Sequence, residues 1–181
     1  RTHGRRAHTA RAWRGVNAIH AAGEVLRRLD DYRPRTVTID GCTYREGLNA
    51  VRISGGVAGN VVPDECSIEV NLRFAPDRSE RDALAHLHEV FGGFDLDVTD
   101  SAPGAMPGLT AEPARDFLIT VGEQPEAKLG WTDVSRFAAM GIPALNYGPG
   151  DPRLAHAKDE HVEIGKIRDG AATLHRWLTA Y

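Results

Sequence analysis

Eight histidines are the residues of this chain best suited to acid–base or metal chemistry, and their settings divide them. His20, His86, His88 and His175 fall on stretches with helical periodicity, where a solvated or half-buried structural role is the ordinary one. His3, His8, His156 and His161 lie in loops or at strand ends, where functional side chains concentrate. His156 stands in Ala155-His156-Ala157-Lys158-Asp159-Glu160-His161, a polar loop after a strand. That setting suits a metal ligand, because the strand end fixes the imidazole while a nearby carboxylate can orient it. A single loop histidine does not make a site, since zinc takes three or four protein donors. The pair Glu160 and Glu163 reads as the acidic start of a helix rather than as an acid/base pair. The chain has no His-Glu-x-x-His, no Gly-x-Ser-x-Gly and no Gly-Lys-Ser/Thr. The Gly55–Gly59 loop is followed by no lysine, which argues against a phosphate cradle. Residue types and spacing leave the chemistry open at this point.

The elements that must position these residues are easier to read. Arg1 to His8 looks like the end of a strand that starts abruptly. Between Gly15 and Leu29, apolar Val16, Ile19, Ala22, Val25, Leu26 and Leu29 recur at helical spacing. Thr36 to Asp40 alternates as a strand, and Ala50 to Ile53 is a second short one. Cys66, Ile68, Val70, Leu72 and Phe74 alternate with polar residues, which marks a sheet with one buried face. Ser79 and Asp82 resemble a capping box ahead of a helix carrying Ala83, Leu84, Leu87, Val90 and Phe91. Phe94, Leu96 and Val98 predict one more strand. The order fits a split β-α-β, ferredoxin-like unit with an open antiparallel sheet.

Asp100 to Gly108, rich in Pro, Gly and small residues, is the best boundary in the chain. Beyond it the pattern predicts a helix from Pro113 to about Val121 and a short helix from Thr132 or Asp133 to Met140, ended by Gly141. A buried strand is expected from Ile142 to Tyr147. A last helix should carry Ile164, Ile167, Ala171, Leu174 and Leu178 on one face. This second segment is short for a complete α/β domain.

Composition sets outer limits. The 181 residues are 41% hydrophobic and 26% charged, as in a globular chain. Net charge is -3, so there is no electrostatic footprint for nucleic acid, and no apolar run approaches a membrane span. The basic start from Arg1 to His8 lacks the apolar core of a secretory signal. Cys42 and Cys66 fit a reducing, cytoplasmic setting without a disulfide framework.

Four segments in the correct order resemble the aminoacylase and carboxypeptidase G family of co-catalytic zinc hydrolases. Gly4-Arg5-Arg6-Ala7-His8-Thr9-Ala10 with Gly15-Val16-Asn17-Ala18-Ile19 is similar to the opening of the family's lid domain. Gly59-Asn60-Val61-Val62-Pro63-Asp64, running on to Asn71-Leu72-Arg73-Phe74, looks like its Asn-Val-Ile/Val-Pro strand with the terminal arginine. Gly130-Trp131-Thr132-Asp133-Val134-Ser135-Arg136-Phe137 resembles the turn before the metal loop. Asn146-Tyr147-Gly148-Pro149-Gly150 then leads to Leu154-Ala155-His156 and Asp159-Glu160.

The resemblance implies an α/β protein in two parts. Residues 1–108 would be an α+β lid or dimerisation domain with a truncated first strand. Residues 109–181 would be the C-terminal part of an α/β zinc-hydrolase catalytic domain. His156 would be a ligand of one of two zinc ions, with cobalt as an alternative metal. His8 would reach from the lid into the active site of a homodimer partner and donate a hydrogen bond to the developing oxyanion. Asn60 would contact substrate from the partner subunit, and Arg73 would pair with a substrate carboxylate. Thr132 would bind substrate through its backbone or hydroxyl, with Arg136 beside it in the substrate-binding set.

Many relatives have two glycines ahead of the threonine where this chain has Gly130-Trp131, so the pocket wall must differ. That turn is similar to the desuccinylase branch, which implies hydrolysis of an N-succinyl amide of diaminopimelate. The rivals are an acetylornithine deacetylase, aminoacylase or dipeptidase of the same family, or a dimerisation module without catalysis. The family's remaining metal ligands and its general-base glutamate precede the lid, so this chain alone is expected to be inactive.

Overall fold

A computed structural model describes residues 1–180, and these divide into two units. The first comprises residues 1–37 and 44–104; the second comprises residues 38–43 and 105 onward.

The first unit is built on three antiparallel strands: β1 (Thr2–His3), β4 (Gly47–Gly55) and β5 (Glu65–Arg73), in the order β1-β5-β4. On β5 the predicted alternation holds, because Cys66, Ile68, Val70 and Leu72 turn inward while their neighbours face out. The inward face is covered by α1 (Ala18–Asp30), whose N-terminus is capped by the Asn17 carboxamide accepting from Ile19 N and His20 N. Ala18 and Ala22 pack on Cys66 and Ile68. Val25 joins Leu48 and Phe91 in the larger core cluster. Phe91 closes α2 (Glu80–Val90), where the Ser79 hydroxyl accepts from Asp82 N as the capping pattern predicts. Gly4 is demanded by close approach, since a Cβ there would lie 2.1 Å from the Val16 carbonyl oxygen.

A hairpin was not apparent from periodicity. It consists of β2 (Thr36–Ile39) and β3 (Cys42–Arg45), joined by Asp40 and Gly41 with φ of 49° and 80°. An Asp-Gly pair between short alternating runs is the signal that reveals it, because both turn residues need positive φ. At its base, Glu46 is 3% exposed and its carboxylate accepts from Arg35 at 2.9 Å, Arg78 at 3.2 Å and the Ala75 amide at 3.1 Å. A buried charge tolerates burial only when paired in this way. The clamp fixes the turn that follows β5, and with it the position of Arg73.

Asp77 extends the clamp: Arg35 sits 2.6 Å from its carboxylate and holds it below the usual carboxylate range. A depressed acid stabilises the fold above its unfolded pKa and loses that contribution as pH falls through the lowered value. The melting temperature should therefore drop below about pH 4, and less steeply in an Asp77→Asn variant than in the wild type. Parallel thermal melts across pH 3–7 check this.

Two predicted strands are not formed. Phe94 and Leu96 pack on the core, but the segment makes no ladder beside a β1 only two residues long. The Ile142–Tyr147 segment is also unladdered, and Ile142 is 47% exposed. A strand needs neighbours for its backbone groups, and among the described residues none lies alongside it.

The second unit contains α3 (Glu112–Val121), α4 (Val134–Ala139) and α5 (Ile164–Leu178). Pro113 lies in the first turn of α3, and Gly122 ends that helix at φ 73°. Phe117 stacks edge-on against Tyr147 and Trp177, both at 5.1 Å, which ties α3 to α5. The apolar face predicted for α5 exists in sequence but is largely open: Ile164 is 68% exposed and Leu178 66%. No described helix is long and apolar enough to cross a membrane.

Candidate functional site

In the first unit the fold brings His8 and Asn60 together. Val62 N donates to the Ala7 carbonyl, Thr9 N donates to the Asn60 carbonyl, and His8 bridges Val61. His8 is also the cap of a short 3-10 turn over Thr9–Arg14. There its Nδ1 accepts from Ala10 N at 3.1 Å. With that lone pair engaged, the proton of the neutral ring resides on Nε2. The exposed edge of His8 is therefore a hydrogen-bond donor.

Arg73 lies elsewhere. It ends β5 on the face opposite the core, exposed and paired in register with Gly47. The nine residues of β5 separate it from the His8–Asn60 end by on the order of 25 Å. One small substrate cannot touch both ends of the same lid.

In the second unit, Thr132 sits half-buried in the turn before α4. Its carbonyl accepts from Ser135 N at 3.1 Å, and its Oγ1 accepts from Asn146 Nδ2 at 3.0 Å. The carbonyl is thus committed to the turn, which leaves the hydroxyl and the N–H to face a ligand. Arg136 lies over the Trp131 ring at 5.4 Å and 3.6 Å from the Asp133 carboxylate. The Trp131 ring therefore supports a guanidinium.

His156 has φ of 64°, a left-handed conformation that a non-glycine residue adopts only when its surroundings hold it there. The restraint is visible: the Glu160 carboxylate accepts from His156 N at 3.0 Å. Glu160 was read from sequence as part of a helix-start charge pattern, but it is Glu163 that caps α5, and without a side-chain bond. The four-residue spacing of Glu160 from a loop histidine was the available signal. Upstream, Asp151 binds Arg153 through both carboxylate oxygens, and this arginine drives the Asp151 pKa down to about 2.

These side chains do not form a metal centre by themselves. Among the described residues no group of three or more His, Cys, Asp or Glu side chains is placed to hold an ion. His156 offers one donor, fewer than any zinc site uses. A co-catalytic metal pair does not fit the donor set of this chain alone.

Comparison with known proteins gives the context. The model of the peptidase dimerisation domain matches residues 1–96. The chain is 59% identical, over 97% of its length, to a putative succinyl-diaminopimelate desuccinylase of Mycobacterium tuberculosis, of which it covers 50%. It is 46% identical, over 98% of its length, to a succinyl-diaminopimelate desuccinylase of Corynebacterium glutamicum, again covering 50%. The chain thus spans about half the length of these curated relatives. Among solved structures, a tripeptidase from Staphylococcus aureus matches with a TM-score of 0.73 and 22% identity, over 98% of this chain and 49% of that one. A Bacillus cereus aminopeptidase matches at 0.60 with 18% identity, covering 97% and 48%. At such identities the likeness concerns the fold, and it agrees with the α/β architecture and antiparallel sheet described above. Fold, ordered motifs and the match over residues 1–96 agree: the chain belongs to the M20 family that carries the peptidase dimerisation domain.

Proposed function

We propose that this chain is the lid and the C-terminal catalytic segment of a metal-dependent amidohydrolase that cleaves N-succinyl-diaminopimelate to succinate and diaminopimelate. The names of the two relatives at 59% and 46% identity support the substrate. The observation that carries the arrangement is the separation of His8 and Asn60 from Arg73 along β5. Residues at opposite ends of one strand serve two different active sites, so each site is completed by a partner's lid.

In this reading the Nε2–H of His8 donates to the amide oxygen as it becomes an oxyanion, in the active site of the other protomer. Asn60 contacts substrate from the same end. Arg73 takes a substrate carboxylate by two parallel N–H bonds, and Thr132 and Arg136 line the pocket on the second unit. His156 is one zinc donor, with cobalt as a possible substitute. The other donors and the base belong to the half of the relatives that this chain does not span. The protein acts in the cytoplasm, in keeping with two buried, unpaired thiols.

Homodimerisation is assigned to the lid. β4 is an edge strand with Val51 59% and Ile53 51% exposed, and α1 carries Ile19 and Leu26, seven residues apart and 40% and 42% exposed. An open edge beside an apolar stripe suits an identical copy.

The test compares two proteins. The chain of 181 residues, with zinc or cobalt added, should release no succinate, whereas the full-length protein should hydrolyse N-succinyl-diaminopimelate in preference to N-acetylornithine. Turnover by the short chain, or preference for the acetyl substrate, would rule this reading out.

A further inference from the structure

The turn that carries Thr132 is held by Asn146, the first residue of the Asn146-Tyr147-Gly148-Pro149-Gly150 segment, to which the sequence assigned no role. Asn146 lies in the unladdered Ile142–Tyr147 segment, and its carboxamide Nδ2 donates to Thr132 Oγ1 at 3.0 Å. A hydroxyl has one proton and two lone pairs. When an N–H fills one lone pair, the hydroxyl proton turns away from that donor and becomes available to an acceptor. The Thr132 carbonyl, the other acceptor of this residue, is already used by Ser135 N. What Thr132 presents outward is therefore an O–H donor, in the turn where the neighbouring Trp131 ring carries the Arg136 guanidinium and Arg136 faces the Asp133 carboxylate at 3.6 Å.

We infer that Asn146 is a positioning residue that fixes the polarity of Thr132, so that the substrate group received there is a carboxylate. The inference rests on the proposed amidohydrolase reading and deepens it. A substrate carrying a free carboxylate on its acyl group meets a donor that is already aimed. An ammonium group at the same place would meet the proton of Thr132 where it needs a lone pair, and would be disfavoured. The acyl chain of a dicarboxylic acid fits this turn, and a neutral acetyl group leaves the donor without a partner. Discrimination between acyl groups thus depends on a hydrogen bond between two side chains, neither of which needs to touch the scissile bond.

The experiment uses the full-length protein with its metals and a double-mutant cycle of Asn146→Ala and Thr132→Val, assayed on N-succinyl and N-acetyl forms of one amine. Asn146→Ala should raise KM for the succinyl substrate roughly fivefold to tenfold with kcat little changed, because the lost interaction is made equally in ground and transition states. The same substitution should have almost no effect on the acetyl substrate. In the Thr132→Val background, Asn146→Ala should add nothing, since its effect passes through the missing hydroxyl. Thr132→Ser, which keeps the O–H, should preserve the sensitivity to Asn146→Ala that Thr132→Val abolishes.

An equal loss on both substrates, or an undiminished effect of Asn146→Ala in the Thr132→Val protein, would overturn the positioning role while leaving the amidohydrolase reading in place. If the wild type prefers another N-acyl substrate, that reading fails. The cycle run on the preferred substrate then still decides whether the two side chains are coupled. A wild type that hydrolyses neither form overturns both.

Discussion

If His156 is a metal donor as proposed, replacing it by alanine in the full-length protein is expected to remove measurable hydrolysis and to lower the bound metal. Changes to residues that merely support a ligand cost roughly 10–100-fold in metal affinity or activity, so loss of the ligand should cost more. Metal content measured by elemental analysis after dialysis separates this outcome from simple misfolding. A variant that retains the wild-type metal content would remove His156 from the donor set. The neighbouring Glu160→Gln change should be milder, since an amide oxygen can still accept from His156 N.

The His156→Ala variant also tests the proposal that each active site is completed by a partner's lid. His8→Ala should slow turnover by roughly 10²–10³ through loss of one oxyanion donor, with the metal content untouched. Mixed with His156→Ala protein and allowed to exchange subunits, it should recover activity. In the mixed dimer, one active site combines an intact His156 from one chain with an intact His8 from the other. Random pairing leaves roughly a quarter of all sites complete. If His8 served its own chain, no mixture would recover anything.

The second large effect concerns the lid. Phe91→Ala should destabilise the first unit by roughly 3–5 kcal/mol, because the ring is 2% exposed and contributes to a core with Val25, Leu48, Leu29 and Leu87. Val98→Ala, at a position 59% exposed, should change stability by less than about 0.5 kcal/mol. Urea unfolding of the two variants beside the wild type gives the comparison. Dimerisation should weaken with Phe91→Ala, since α2 and α1 meet at this core and α1 carries the exposed Ile19 and Leu26.

Much of the first unit was legible in the sequence, for local reasons. The alternation from Cys66 to Leu72, the helical stripe ending at Leu29 and the Ser79 cap each express a preference that neighbouring residues settle among themselves. The hairpin at Asp40-Gly41 was equally local but was hidden by the short strands on either side. The second unit was less legible. The stretch Ile142–Tyr147 has the composition of a buried strand and the α5 stripe that of a buried face. Among the described residues neither meets such a partner: the backbone of the first is unladdered, and Ile164 and Leu178 are exposed.

The site divides in the same way. Sequence by itself determined which residue types were present and in what order: His8, Asn60, Arg73, Thr132, Arg136 and His156 could all be named from motifs, because a motif is a spacing along the chain. Only the tertiary structure decided what those residues are able to do. It placed His8 and Asn60 on one end of the lid and Arg73 on the other, a distance set by the rise of β5. It engaged Nδ1 of His8 and so left Nε2 as the donor. It set His156 in a left-handed conformation tied to Glu160, and it directed Asn146 onto Thr132. The polarity of a hydroxyl and the tautomer of an imidazole are fixed by partners distant in sequence or reached across a turn, and such partners exist only once the chain has folded.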